Sequence, residues 1–188
     1  MTKYLSCADT AKLVRQALKE AFPTIKFGVT SKTYAGGASI SIRYTDGPTA
    51  DDVKAIVAAF EGSYFDGMQD YKGQNYAAID GEEVRFGADF IFVNRKYSLG
   101  FLKAVTQAVC GEFGITEPIK IVDNDYGAYI ENPNNIQIGG YYLEQYVNRE
   151  AAKAALVEPD LENCKLLKRV TSLGDDGYGY GCTGRLAA

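Results

Sequence analysis

Histidine is absent from this chain of 188 residues. That removes Ser-His and Cys-His activation of a nucleophile, imidazole general-base chemistry and imidazole metal ligands. Carboxylate, lysine and tyrosine chemistry stay open, but the expectation is a protein that is not an enzyme and carries no cofactor. No apolar run approaches the roughly 18 residues needed to span a bilayer. Asp9 and four charged residues from Lys12 to Glu20 interrupt any apolar stretch of a signal peptide. A cytoplasmic protein without a membrane partner is therefore expected. The four cysteines, Cys7, Cys110, Cys164 and Cys182, lie far apart and form no C-x-x-C. Free and mostly buried thiols are expected, rather than disulfides or a zinc site.

What is present is an ordinary globular composition, 46% apolar and 23% charged, long enough for one domain with a real core. The net charge of −4 is unevenly spread. Residues 1–48 carry seven Lys/Arg against three Asp/Glu, a surplus of +4. Residues 49–148 carry seven against fifteen, −8, and the remainder is neutral. A basic first segment followed by an acidic middle is the pattern of a solvated surface or of two faces with different partners.

The periodicity predicts a helix over 7–22, with Ser6 as N-cap, Asp9 three residues on and Pro23 as the stop. Ile25, Phe27 and Val29, then Ile40, Ile42 and Tyr44, alternate with polar residues and predict two half-buried antiparallel strands joined at Ala35-Gly36-Gly37. Thr49 opens a second helix whose Val53, Ile56, Val57 and Phe60 face inward. Residues 62–82, rich in Gly, Asp and Tyr, read as a long loop. Residues 84–93 read as one strand with a glycine kink. A third helix starts at Ser98 and ends at Gly114. A hairpin turns at Asp123-Asn124-Asp125-Tyr126, and a last helix spans 141–156. This order of hairpins and helices predicts an α+β fold: an antiparallel or mixed sheet with helices packed mainly on one face. The expected division is one domain over 1–157, with 98–157 as a helix-hairpin-helix extension, and a C-terminal tail over 158–188, glycine-rich from Gly174 to Gly184.

Three clusters carry candidate chemistry. The acidic, tyrosine-rich stretch with Tyr64, Asp66, Asp70, Tyr71, Asp80, Glu82 and Glu83 suits docking on a basic surface, since tyrosines give rigid amphipathic contact area. Its carboxylates would do acid/base work only if burial drove their pKa values apart. Lys32, Tyr34, Arg43 and Tyr44 mix cations with aromatics, as nucleic-acid binding requires. Asp123 to Gly127 offers oxygen ligands, but a calcium loop needs a glutamate at its twelfth position, where Asn134 stands; a hairpin turn is expected there. Gly36-Gly37 lacks the phosphate-loop pattern and is read as a turn as well.

A linked set of runs resembles one of the large polyvalent protein-associated domain families of phages and conjugative elements. It comprises Tyr4-Leu5-Ser6-Cys7-Ala8-Asp9-Thr10-Ala11, Phe22-Pro23, Ser31-Lys32-Thr33-Tyr34-Ala35-Gly36-Gly37-Ala38-Ser39-Ile40, Asp46-Gly47-Pro48, Phe60-Glu61-Gly62, Phe65-Asp66-Gly67-Met68 and Phe86-Gly87-Ala88-Asp89-Phe90-Ile91-Phe92, across residues 4–97. The resemblance transfers no catalytic motif. It implies a mobile-element protein in the cytoplasm of a bacterial host, acting on incoming DNA or on host defences. The first expectation is an anti-defence protein (anti-CRISPR or anti-restriction) that inhibits a host defence protein or ribonucleoprotein complex by docking on it. The alternatives are a nucleic-acid-binding accessory module and a carboxylate-dependent enzyme.

Overall fold

The computed structural model describes residues 2–131 and 136–178. In chain order these form β1 (Lys3–Leu5), α1 (Cys7–Ala21), β2 (Gly28–Tyr34), β3 (Gly37–Thr45), α2 (Ala50–Val57), β4 (Ser63–Asp66), β5 (Tyr71–Ile79), β6 (Glu82–Phe86), β7 (Phe90–Lys96), α3 (Leu99–Phe113), β8 (Ile121–Asn124), β9 (Gly127–Ile130), β10 (Gln137–Ile138), β11 (Tyr141–Tyr142), α4 (Leu143–Lys153) and β12 (Val170–Asp175). The fold is α+β, with mixed and antiparallel sheets. It divides into two compact units. One comprises Met1–Arg43, Asp51–Asn94 and Pro159–Ala188; the other comprises Tyr44–Ala50 and Arg95–Glu158.

In the first unit, the Ser6 hydroxyl accepts from the Asp9 N–H at 3.1 Å and donates to the Asp9 carboxylate at 2.6 Å, which caps α1. Thr10, Ala11, Val14, Ala17, Leu18 and Ala21 recur at helical spacing and are all buried. Phe22 leaves the helix because the proline after it disfavours α geometry. β2 starts later than the sequence pattern predicts, at Gly28, and runs to Tyr34. A two-residue turn at Ala35-Gly36, with Gly36 at φ +86°, joins it to β3. Ile40 and Ile42 are fully buried, while Ser39, Ser41 and Arg43 face outward. α2 buries Val53, Ile56 and Val57, and Phe60 meets Phe86 edge-on at 5.5 Å.

The stretch 62–82 is not a loop. It forms β4, β5 and the start of β6, an antiparallel meander. Its turn at Asp80-Gly81 has both residues at positive φ, +54° and +82°. That is the geometry Asp-Gly favours in a two-residue hairpin. The strands escape an apolar-alternation reading because Gly73, Ala77 and Ala78 supply the buried positions of β5. The stretch 84–93 is two strands, broken at Gly87-Ala88-Asp89. Gly87 lies so close to the chain before α1 that a Cβ there would meet Leu5 O at 2.4 Å. The segment read as a tail also belongs to the fold. Cys164 and Leu166 are buried, the Leu166 N–H donates to Glu20 Oε2, and β12 pairs antiparallel with β5. The rest of that tail, 179–188, lies outside the described residues.

In the second unit, Ser98 caps α3 by accepting from the Phe101 N–H at 3.2 Å, and Gly114 ends it at φ +64°. Leu102, Val109, Ile130, Ile138, Leu143, Val147 and Ala151 form its core. β8 and β9 make the expected hairpin, with Asn124 Oδ1 accepting from the Tyr126 N–H at 2.7 Å. Arg95 donates to the carbonyls of Asp46 (3.0 Å), Ala151 (3.2 Å) and Ala154 (2.7 Å), and its guanidinium lies over the Tyr97 and Phe101 rings. It thereby caps the carbonyl end of α4, where a cation is favoured. α4 itself is shorter than the predicted 141–156.

Candidate functional site

The strand alternation of the first unit leaves one sheet face open. In the sheet ordered β2-β3-β7, the register sets Tyr34 opposite Gly37, Lys32 opposite Ser39, Thr30 opposite Ser41 and Gly28 opposite Arg43. Residues facing each other across a ladder share a face. β7 adds Phe90, Phe92 and Asn94, because Ile91 between them turns to the core. The Asn94 amide donates to Ser41 Oγ at 3.3 Å, which ties β7 to this face of β3. The result is a trough. Its floor is Ser39 and Ser41, while the Tyr34 ring and the Asp89 carboxylate cover Gly37; Lys32 and Tyr34 stand on one side, Phe90 and Phe92 on the other, and Arg43 at one end. Its walls are two strand spacings apart, roughly 10 Å. Tyr34 is 47% exposed and Phe92 55%. Lys32 and Arg43 are exposed and enter no ion pair among the described residues.

A carboxylate braces this face at its Gly37 end, on the same side as the Tyr34 ring. Asp89 accepts from the Ala38 N–H (2.8 Å) and the Ser63 hydroxyl (2.9 Å), and pairs with the Lys72 ammonium (2.8 Å). Partial burial pushes the Asp89 carboxyl up, but Lys72, the Ala38 amide and Ser63 together outweigh it and hold it below its ordinary value. Gly37 lies directly against the brace, where a Cβ would meet Asp89 Oδ2 at 2.4 Å. The Gly-rich turn, β4, β5 and the start of β7 are thus fixed to one another.

Beside the face, a groove of about 380 Å³ follows the outer edge of β7. Lys54, Val57 and Ala58 of α2 line it, together with Ile91, Phe92 and Asn94. Glu61 closes part of it by accepting from the Ile91 N–H at 2.9 Å.

Of the basic-aromatic residues singled out in the sequence, the fold brings Lys32, Tyr34 and Arg43 onto this face. Tyr44 is 4% exposed on the opposite face of β3, with its hydroxyl donating to Pro48 O. The sequence reading missed Phe90, Phe92 and Asn94. Their period of two was visible, but phenylalanine in a strand reads first as core.

The acidic stretch does not stay together. Asp66, Asp70 and Tyr71 sit at one end of β5, and Asp80, Glu82 and Glu83 at the other. A strand of nine residues separates them by roughly 25 Å. Tyr64 and Asp66 are buried, and Asp66 Oδ1 accepts from Met68 N–H within its own turn. Tyr64 and Tyr71 donate to Asp176 at 2.5 and 3.0 Å, which pins the end of β12. Asp80 is held below its ordinary value by the hydrogen-bonded Arg169 guanidinium. Lys3 stands beside Glu82 and Glu83. The β4–β5 turn exposes two large apolar side chains, Phe65 at 56% and Met68 at 89%, beside the polar Gln69 and Asp70.

Cys7, Cys110 and Cys164 are free, and burial pushes each thiol up, away from reactivity. Cys182 and Asn134 lie outside the described residues. Among the described residues no three His, Cys, Asp or Glu come together as a metal site. No helix among them is long and apolar enough to cross a membrane.

Fold and face together define a small α+β chain with an open, basic and aromatic sheet surface. Residues 5–98 match the family model of large polyvalent protein associated domain 29, and the chain belongs to that family. This makes it a phage- or mobile-element-associated protein. The whole trough lies inside the matched segment. No curated protein and no solved structure matches the chain.

Proposed function

We propose that the chain is a nucleic-acid-binding module of a phage or other mobile element, and that the β2-β3-β7 face is its binding surface. One observation carries this. Two cations without an ion pair among the described residues share a face with three aromatic rings, and its centre is small and polar, which joins phosphate attraction to base contact. The net charge of −4 does not oppose it, because Lys72 pairs with Asp89 beside the face while Lys32 and Arg43 enter no ion pair among the described residues. The test is fluorescence anisotropy with a labelled single-stranded oligonucleotide across a salt series. Affinity falls as salt rises, and Lys32→Ala or Arg43→Ala each reduces the slope of log K against log salt by about 0.7. Absence of binding at low salt would overturn the proposal.

A second reading keeps the anti-defence role, in which the chain docks on a host defence complex and inhibits it. The observation in its favour is the exposed Phe65 and Met68 at the β4–β5 turn, an apolar tip of the kind that anchors protein interfaces. Its test is an interference assay with pull-down of the defence complex. Met68→Asp abolishes both inhibition and capture if the tip docks; an undiminished effect excludes the tip.

A further inference from the structure

We infer that the trough takes single-stranded nucleic acid, with unpaired bases stacked on Phe92 and Phe90, and that it does not take duplex. The inference rests on the nucleic-acid reading of the same face and names the form of the ligand.

The argument begins with shape. The open floor is Ser39 and Ser41, flanked by long side chains on both neighbouring strands and closed at the Gly37 end by Tyr34 and Asp89. Walls rooted on strands roughly 10 Å apart leave a narrow channel, which suits one strand with splayed bases rather than a duplex. A duplex offers its base edges only in its grooves and keeps their faces stacked inside. The flat rings here therefore have nothing to stack on in a duplex. A sheet with aromatics standing on its open face is how proteins recognise unstacked bases.

Ring placement points the same way. Phe90 and Phe92 are two residues apart on one strand, with centroids 6.5 Å apart and planes inclined by 41°. They do not stack on each other; Phe92 is exposed and Phe90 half-buried. Phe92 also lines the groove along the edge of β7. Tyr34 stands across the floor as a third platform, and its hydroxyl gives it a polar tip. Lys32 and Arg43 lie at different heights along the trough, where a backbone following the floor passes both. The floor hydroxyls and backbone carry no pattern specific to one base, so the predicted binding is tolerant of sequence, as stacking is.

The test uses labelled strands of about ten nucleotides, within the span of known single-strand sites: a thymidine oligomer, a uridine oligomer, an abasic strand of equal length and charge, and a duplex. The wild-type chain binds the thymidine or the uridine oligomer at least roughly tenfold tighter than the abasic strand. Phe92→Ala lowers that affinity by roughly fivefold or more, toward the abasic level, and Phe92→Tyr restores most of it. The thermal transition of Phe92→Ala stays near that of wild type, because the ring is 55% exposed. Equal affinity for abasic and base-bearing strands, or duplex binding as tight as single-strand binding, overturns the inference and leaves the phosphate-binding reading standing. Failure to bind any probe overturns that reading and the inference with it.

Discussion

At the scale of single residues, one charged side chain braces each unit. Arg95 donates to three carbonyls of the second unit at 3.2 Å or less and lies over two rings. Arg95→Ala strands those acceptors and should lower stability by about 2–3 kcal/mol. Arg95→Lys recovers little, because an ammonium cannot reproduce the planar fork. Denaturant titration of the three proteins checks both statements. In the first unit, Asp89→Ala leaves the Ala38 amide and the Ser63 hydroxyl without their acceptor and should lower stability by about 1–3 kcal/mol. Its pH dependence has a definite sign. The Asp89 carboxyl is depressed in the folded chain, so its contribution is complete above the unfolded value of about 3.9 and is lost as pH falls through the folded value. Melting temperatures of wild type and Asp89→Asn should therefore converge as pH drops below about 4. Curves that stay parallel into acid would show that Asp89 carries no such contribution.

At the scale of elements, backbone crowding decides where strands turn and end. A Cβ on Gly62 would meet Phe86 O at 2.1 Å, and a carbonyl cannot swing away as a side chain can. Gly62→Ala should lower stability by at least about 2 kcal/mol. Gly111 lies on the exposed side of α3, and a methyl group there would have nothing within 4 Å, so Gly111→Ala should raise stability by up to about 1 kcal/mol. Thermal melts of the pair separate close approach from helix propensity. The same contrast explains what could be read in advance. α1, α3 and the β2–β3 hairpin were legible because caps, stops and alternation agree: Ser6 with Pro23, Ser98 with Gly114, Ile40 and Ile42 against Ser39 and Ser41. β4 and β5 were not, because their inward positions include Ser63, Gly73, Ala77 and Ala78. The Asp80-Gly81 pair was the overlooked signal, a hairpin turn in plain view. β12 was hidden for another reason: Thr171, Ser172 and Leu173 are exposed, and its hold on the fold comes from pairing with β5 and from Asp176, both distant in sequence.

At the scale of the whole chain, the uneven charge acquires a location. The basic surplus of the first 48 residues includes Lys32 and Arg43 on the trough, while Asp66, Asp70, Asp80, Glu82 and Glu83 are divided between the two ends of β5. Half of the site was visible in sequence. Lys32, Tyr34 and Arg43 share a parity in their strands, and the alternation that put Ile40 and Ile42 inside also puts Tyr44 inside. Phe90 and Phe92 could be placed on the same face only once β7 was known to pair with β3. The central claim is that bases stack on Phe92, and the chain offers a clean reporter because it contains no tryptophan. Phe92→Trp introduces a single indole at the wall of the trough. Titration with a thymidine oligomer should quench its emission saturably, at the same midpoint as the anisotropy change of the labelled strand. Emission that stays unchanged at oligomer concentrations that saturate the anisotropy signal, or up to the highest concentration when there is no such signal, would contradict the account.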